Sequence, residues 1–242
     1  MRGRVTIAVL ALVLTVGTAQ AQEVNTLTRA EREAGWQLLF DGVSLDGWRR
    51  YNGEPMTGGW AVEDGLLTHV DGGRDIIYED VFGDFELSVE WMVEPGGNSG
   101  IFYRAALGEQ WIYHSAPEMQ VLDDDGHRDG RNPLTSAGSN YALYPAPRGI
   151  VRPAEEWNEA RVIVRGDAVE HWLNGTKIVA YEFGSDGWSE LVANSKFGEW
   201  PAYGQAEQGH IGLQDHGNRV WYRNMKIRTL DGGSARQAPA GG

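Results

Sequence analysis

The chain has 242 residues, a formal net charge of −13 at pH 7 and no cysteine, and it carries ten Trp, nine Tyr and 33 Gly. So acidic a balance argues against nucleic acid and anionic membrane surfaces as partners. The missing thiols exclude disulfide support, leaving stability to a core that a chain above about 200 residues is long enough to bury. Abundant aromatics and glycines favour many strands joined by tight turns, and with the acidic charge they are a composition common among carbohydrate-handling proteins.

Residues 1–21 read as a cleaved secretory signal, so the protein is expected to be secreted or periplasmic. Arg2 and Arg4 precede the apolar run 5–16, and Ala19-Gln20-Ala21 forms a small-residue cleavage site after Ala21. The run is shorter than the ~20 residues of a membrane span, and no membrane insertion is expected after cleavage. Within the segment 22–34, residues 28–34 predict a short helix with Thr28 and Glu31 as a capping box and Gly35 as its stop. Strands are expected at 36–40, 60–63, 66–69, 76–78, 85–93, 100–104 and 118–122, then at 157–165, 168–173, 177–182, 209–215 and 220–228. Asp64-Gly65, Gly166-Asp167 and Asn174-Gly175 read as hairpin turns. In 85–93, Glu86, Ser88 and Glu90 alternate with Leu87, Val89 and Trp91, the pattern of a strand with one solvated and one buried face. A second helix is expected at 188–196, capped by Ser185 or Asp186, and residues 231–242 read as a disordered tail. Many strands and few helices predict one all-β domain over 35–230, a jelly-roll sandwich of two antiparallel sheets.

The stretch PEMQVLDDDGH at 117–127 is the expected working surface. A period of two puts Glu118 and Gln120 on one strand face, Asn98 and Arg104 on another, and Gln214 with His216 on a third. If these strands share a sheet, one face presents Glu118, His216 and Arg104 as catalytic candidates, with Asn98, Gln120 and Gln214 as binding groups. Tyr144, in the Pro-rich loop ALYPAP, is expected to be exposed and to offer its hydroxyl to a substrate. Glu118-x-Gln120-x-x-Asp123 imitates the E-x-D-x-x-E strand of retaining glucanases, whose two carboxyl groups lie about 5 to 5.5 Å apart. The odd separation of Glu118 and Asp123 puts them on one face only if a bulge intervenes. One carboxylate beside amides, Arg and His suits proton abstraction next to a carbonyl better. Glu118 paired structurally with Arg104 is the competing reading. The run Asp123-Asp124-Asp125 fails the helix-loop-helix calcium pattern at Arg128 and Leu134. A solvated acidic turn and a divalent cation site using Asp123 and His127 both remain open. Among Trp91, Tyr103, Trp111, Tyr113, Tyr144 and Trp200, most are expected in the core and the rest on sugar rings.

In order, WQLLFDGVSLDGW (36–48), NSGIFYR (98–104), PEMQVLDDDGH (117–127), YALY (141–144), EWNEARVIVRG (156–166), HWLNG (171–175) and GHIGLQDHG (209–217) resemble the 3-keto-disaccharide hydrolase domain family. The resemblance covers about residues 35–230. It implies a concanavalin A-like lectin/glucanase jelly roll that breaks glycosides already oxidised to a ketone at C3. Such a ketone acidifies the C2 proton, so a base removes it, the C1 group leaves by β-elimination, and water adds back. The developing enolate needs a positive or hydrogen-bonding partner. On this reading Glu118 or His216 serves as base and acid, and Arg104 or a divalent cation stabilises the enolate. The alternative on the same fold is a non-catalytic carbohydrate-binding module.

Overall fold

A computed structural model describes residues 23–230 apart from 52, 54, 55 and 57. The expected signal segment and the C-terminal tail lie outside the described residues. The first half of the chain contributes the helix α1 (Arg29–Glu33) and the strands β1 (Gln37–Leu38), β2 (Trp48–Arg50), β3 (Trp60–Glu63), β4 (Leu66–His69), β5 (Ile76–Phe82), β6 (Phe85–Val93), β7 (Asn98–Ala105) and β8 (Glu118–Leu122). The second half adds β9 (Asn158–Arg165), β10 (Ala168–Leu173), β11 (Thr176–Glu182), the helix α2 (Asp186–Ala193), β12 (Gly209–Leu213) and β13 (Val220–Thr229). One sheet runs β11-β10-β9-β6-β13-β4-β3, with β1 also on β13; the other runs β2-β5-β12-β7-β8. Every pairing is antiparallel. The fold is the expected all-β jelly-roll sandwich. No helix among the described residues is long and apolar enough to cross a membrane.

Leu87, Val89 and Trp91 of β6 and Val162 and Val164 of β9 share one buried cluster with Ile101, Tyr103, Met119 and Val121 of the five-stranded sheet. That sheet is unusual in being covered on both faces. Its other face carries a smaller cluster of Tyr51, Ile77, Phe102, Ala105, Ile112 and Ala116, so β7, β8 and β12 are buried along their whole lengths. The outer face of β6 departs from expectation too. Glu86 is buried because Arg228 and Arg161, on the strands at either side, fold over it at 2.5 and 3.1 Å, their stems covering the sheet while their heads pair with the carboxylate.

The turns follow their chemistry. Asn174 and Gly175 both take positive φ (49° and 79°), as a two-residue hairpin requires. Thr28 and Glu31 close the expected capping box on α1. Helix α2 begins two residues before expectation, because Ser185 accepts a hydrogen bond from the Trp188 amide at 3.2 Å, and it ends at Ala193, capped by Asn194, rather than at Lys196. The edge strand β2 had no sequence signal, since only Trp48 of its three residues is buried.

Between the sheets lies a polar chain. The Gly138 carbonyl is 3.0 Å from His171 Nδ1, which therefore carries the proton, and His171 Nε2 accepts from the Tyr103 hydroxyl at 2.8 Å. The Tyr181 hydroxyl lies 2.6 Å from that of Tyr103. Burial lowers the His171 pKa from 6.5 to about 4, against the hydrogen bond to Gly138, which raises it. Between those two values the unfolded chain binds a proton that the folded chain does not, so acidification through that window removes stability. His171→Gln should flatten this part of the dependence: the loss in urea midpoint between pH 6.5 and 4 is expected to be smaller than in wild type, and an equal loss would contradict the burial account.

Candidate active site

The covered outer face of the five-stranded sheet also carries the site. Register fixes its layout: Gly100 of β7 faces Gln120 of β8, Phe102 faces Glu118, and the Gln214 amide donates to the Gly100 carbonyl at 3.0 Å. Asn98, Glu118, Gln120, Gln214 and His216, from three separate stretches of sequence, line a single cavity of about 240 Å³. The structure thus brings together five of the seven residues expected to act on substrate. Tyr113, Tyr141 and Lys196 complete the lining.

Glu118 is buried, and it fits because β7 has a glycine beside it. A Cβ at Gly100 would stand 2.1 Å from Glu118 Oε1. With its amide nitrogen turned toward the strand pair, Gln120 donates to Glu118 Oε1 at 3.0 Å and to the Ser99 carbonyl at 2.9 Å. Burial raises the Glu118 pKa to about 8; the positive charge of Lys196 opposes this and the negative charge of Asp75 adds to it. A group poised near neutrality in a polar cavity suits proton transfer. Asn98 Oδ1 and Gln214 Oε1 are buried without partners among the described residues, free to accept from hydroxyl groups.

Asp215 holds the loop that presents Gln214 and His216. Its carboxylate takes hydrogen bonds from the amides of Gly73 (2.8 Å), Arg74 (2.6 Å) and Gly217 (2.9 Å) and lies 2.9 Å from His69 Nε2. Burial works against its charge, but the bonds from His69, Gly73 and Gly217 outweigh it and keep the carboxyl well below the usual range. β12 ends at Leu213, two residues short of expectation, so Gln214 and His216 lie on the loop beyond it. The Asp215 amide donates to Asp75 Oδ1 at 3.0 Å, and burial lifts the Asp75 pKa to about 7.

Two expected residues lie elsewhere. Arg104 shares no face with Asn98, because β7 carries an extra residue: Tyr103 and Arg104 together oppose Ile211 alone, and Arg104 has φ 51°. The bulge breaks the alternation. Arg104 donates to the Gly166 carbonyl at 2.8 Å, sits 5.2 Å from the Phe183 ring centroid and lies 3.6 Å from Asp84. Tyr144 is not an exposed loop residue but stacks on Tyr181 and Trp188, with centroids 4.9 and 6.3 Å away. The turn 140–144, with Ala142 at φ 61°, sends Tyr141 to the cavity instead.

The Asp123 and His127 side chains, suggested for a cation site, are engaged with backbone amides. Asp123 spends Oδ2 on the Gly96 amide at 2.7 Å and Oδ1 on that of Asp125 at 3.2 Å. His127 Nδ1 accepts from the Asp129 amide at 3.2 Å, while its ring meets the His216 ring edge-on at 6.4 Å. Among the described residues no three His, Asp or Glu side chains converge to hold a metal.

Lys196 was invisible to sequence reasoning because it was assigned to the end of a helix. The helix stops earlier, and Lys196 opens a separate single turn, Lys196–Glu199, from which its ammonium reaches over the Tyr141 ring, 4.5 Å from the centroid. Burial lowers its pKa, against the attraction of Glu118 and Asp129.

The chain is 35% identical over 244 residues to a 3-keto-disaccharide hydrolase of Bacteroides thetaiotaomicron, a match covering 88% of this chain and 84% of that protein. Two crystal structures from Parabacteroides distasonis, provisionally assigned as glycosyl hydrolases, are also similar. One is 33% identical with a TM-score of 0.80, covering 86% of this chain and all of that one; the other is 30% identical with a TM-score of 0.64, covering 81% and 99%. The sequence profile of the 3-keto-alpha-glucoside-1,2-lyase-like domain matches residues 35–228, nearly all of the described chain, and the protein belongs to that family.

Proposed function

We propose that this glycoside hydrolase is exported and cleaves 3-keto-glycosides by elimination at C1 and C2 followed by hydration. The observation that carries the reading is the Glu118 carboxyl, buried on a polar cavity with its pKa near 8 and with no ion pair among the described residues. A carbohydrate-binding module has no use for such a group, whose burial costs stability.

In this mechanism the Glu118 carboxylate takes the C2 proton, electrons move into the C1–C2 bond, and the leaving oxygen departs with a proton from His216. Water then attacks C1, His216 takes back a proton from it, and Glu118, whose proton has meanwhile exchanged with solvent, protonates C2. The enolate oxygen at C3 needs a positive neighbour, and Lys196, the cation at the cavity, takes the role expected of Arg104. Asn98, Gln120 and Gln214 orient the sugar hydroxyls. Export rests on the apolar N-terminal run of the sequence.

Glu118→Gln and His216→Ala are each expected to reduce turnover of a 3-keto-disaccharide at least a hundredfold with the fold retained by circular dichroism. Gly100→Ala, which displaces the carboxyl without altering it, should do nearly as much; full activity in both Glu118→Gln and His216→Ala rejects the assignment.

Because the acting form is the carboxylate, kcat/KM should rise with pH along a limb near 8. Lys196 lowers the Glu118 pKa, so Lys196→Met should move that limb to higher pH and reduce kcat. A limb that stays in place or moves to lower pH would show that Lys196 does not act on Glu118.

A further inference from the structure

The proposed reaction uses the cavity but not the aromatic shelf beside it. Residues 106–116 run across the small apolar cluster, into which Ile112 inserts beside Phe102 and Ile77. The run is tightly fixed. The Tyr51 hydroxyl donates to the Ala106 carbonyl at 2.6 Å, the Ala106 amide donates to Ser115 Oγ at 3.1 Å, and the Gly204 amide donates to the Ser115 carbonyl at 2.9 Å. Trp111 and Tyr113, the neighbours of the buried Ile112, are only half-buried. Their ring planes lie within 8° of parallel with centroids 6.4 Å apart. Trp200 meets Tyr113 edge-on at 5.3 Å and is itself held by a stack with His114 at 4.4 Å. Arg74 sits 5.6 Å from the Trp111 ring centroid.

Tyr113 belongs to both surfaces, forming a wall of the cavity and the near end of the shelf. With the sugar ring that reacts held over Glu118, a leaving group that continues past Tyr113 arrives on Trp111. We propose that Trp111, with Tyr113, forms the leaving-group subsite and selects 3-keto-glycosides whose leaving group carries a ring. The inference rests on the function proposed above. Pyranose and aryl rings both present flat faces to such a surface, and Arg74 at its far edge can donate to a ring hydroxyl. The shelf is rigid before substrate arrives, so little ordering cost offsets the stacking.

The test compares methyl, phenyl and glucosyl 3-keto-glucosides as substrates of the full chain. In Trp111→Ala, KM for the phenyl or glucosyl substrate should rise about fivefold to tenfold more than KM for the methyl substrate. Trp111→Phe should recover most of this, and an unchanged thermal midpoint would show that the fold is intact. An equal penalty on all three substrates, or none on any, overturns the subsite. Calorimetry with unoxidised phenyl glucoside separates this result from failure of the proposed reaction. Weaker binding to Trp111→Ala than to wild type supports the shelf even if no 3-keto-glycoside is turned over, whereas equal binding, or binding to neither, counts against it.

Discussion

A carboxyl group laid against a bare patch of backbone is the contact on which the rest of this site depends. Glu118 reaches its position because Gly100, on the neighbouring strand, offers no Cβ. It remains there, largely out of water, because the sheet beneath it is apolar on its inner face and covered on its outer one. An isolated buried carboxylate is expensive, and a carboxyl so placed relieves the cost by holding its proton to higher pH. The geometry that makes Glu118 a poor contributor to stability also holds its proton up to about pH 8, so that its carboxylate, once formed, is a stronger base than an exposed one. Lys196 and Asp75 pull its titration in opposite directions.

The surroundings serve this one group. Gln120 donates to it, and Asn98 and Gln214, whose amide oxygens have no partner among the described residues, line the cavity it borders. Asp215 fixes the loop that carries Gln214 and His216 through backbone amides contributed by Gly73, Arg74 and Gly217. His69 is part of the same anchor. Its Nδ1 faces the Asn218 carbonyl at 2.8 Å while its Nε2 faces Asp215, an arrangement satisfied only by the doubly protonated ring. Burial disfavours that charge, but the Asp215 carboxylate more than offsets the penalty and raises the His69 pKa. Loop order and local charge are thus a single feature.

Strand parity made much of this legible in the sequence. Alternation within PEMQVL grouped Glu118 with Gln120 because side chains two apart share a face wherever the ladder is regular, whereas Gln214 and His216 reach the same cavity from the loop that follows β12. It failed at Arg104, where one extra residue in β7 reverses the sides, and no residue type in that stretch announces the bulge. Tyr144 failed for a related reason: Ala142 takes a left-handed conformation that neither Gly nor Asn signals, and the tyrosine presented to the cavity is Tyr141. Lys196, Tyr113 and Asp75 sit in connections between strands, where periodicity carries no information. The Lys196 position had one faint cue, since Asn194 and Ser195 are residues that stop one helix and cap the next turn.

The central claim is that a proton leaves and returns at C2 of the substrate through Glu118, which distinguishes this chemistry from direct displacement at C1. Turnover of a 3-keto-disaccharide in deuterium oxide, stopped early and read by mass spectrometry and proton NMR, tests it most directly. The account predicts one deuterium at C2 of the released 3-keto sugar in wild type, formed at the rate of cleavage and beyond the exchange seen with Glu118→Gln. Cleavage that leaves the C2 hydrogen in place would contradict it.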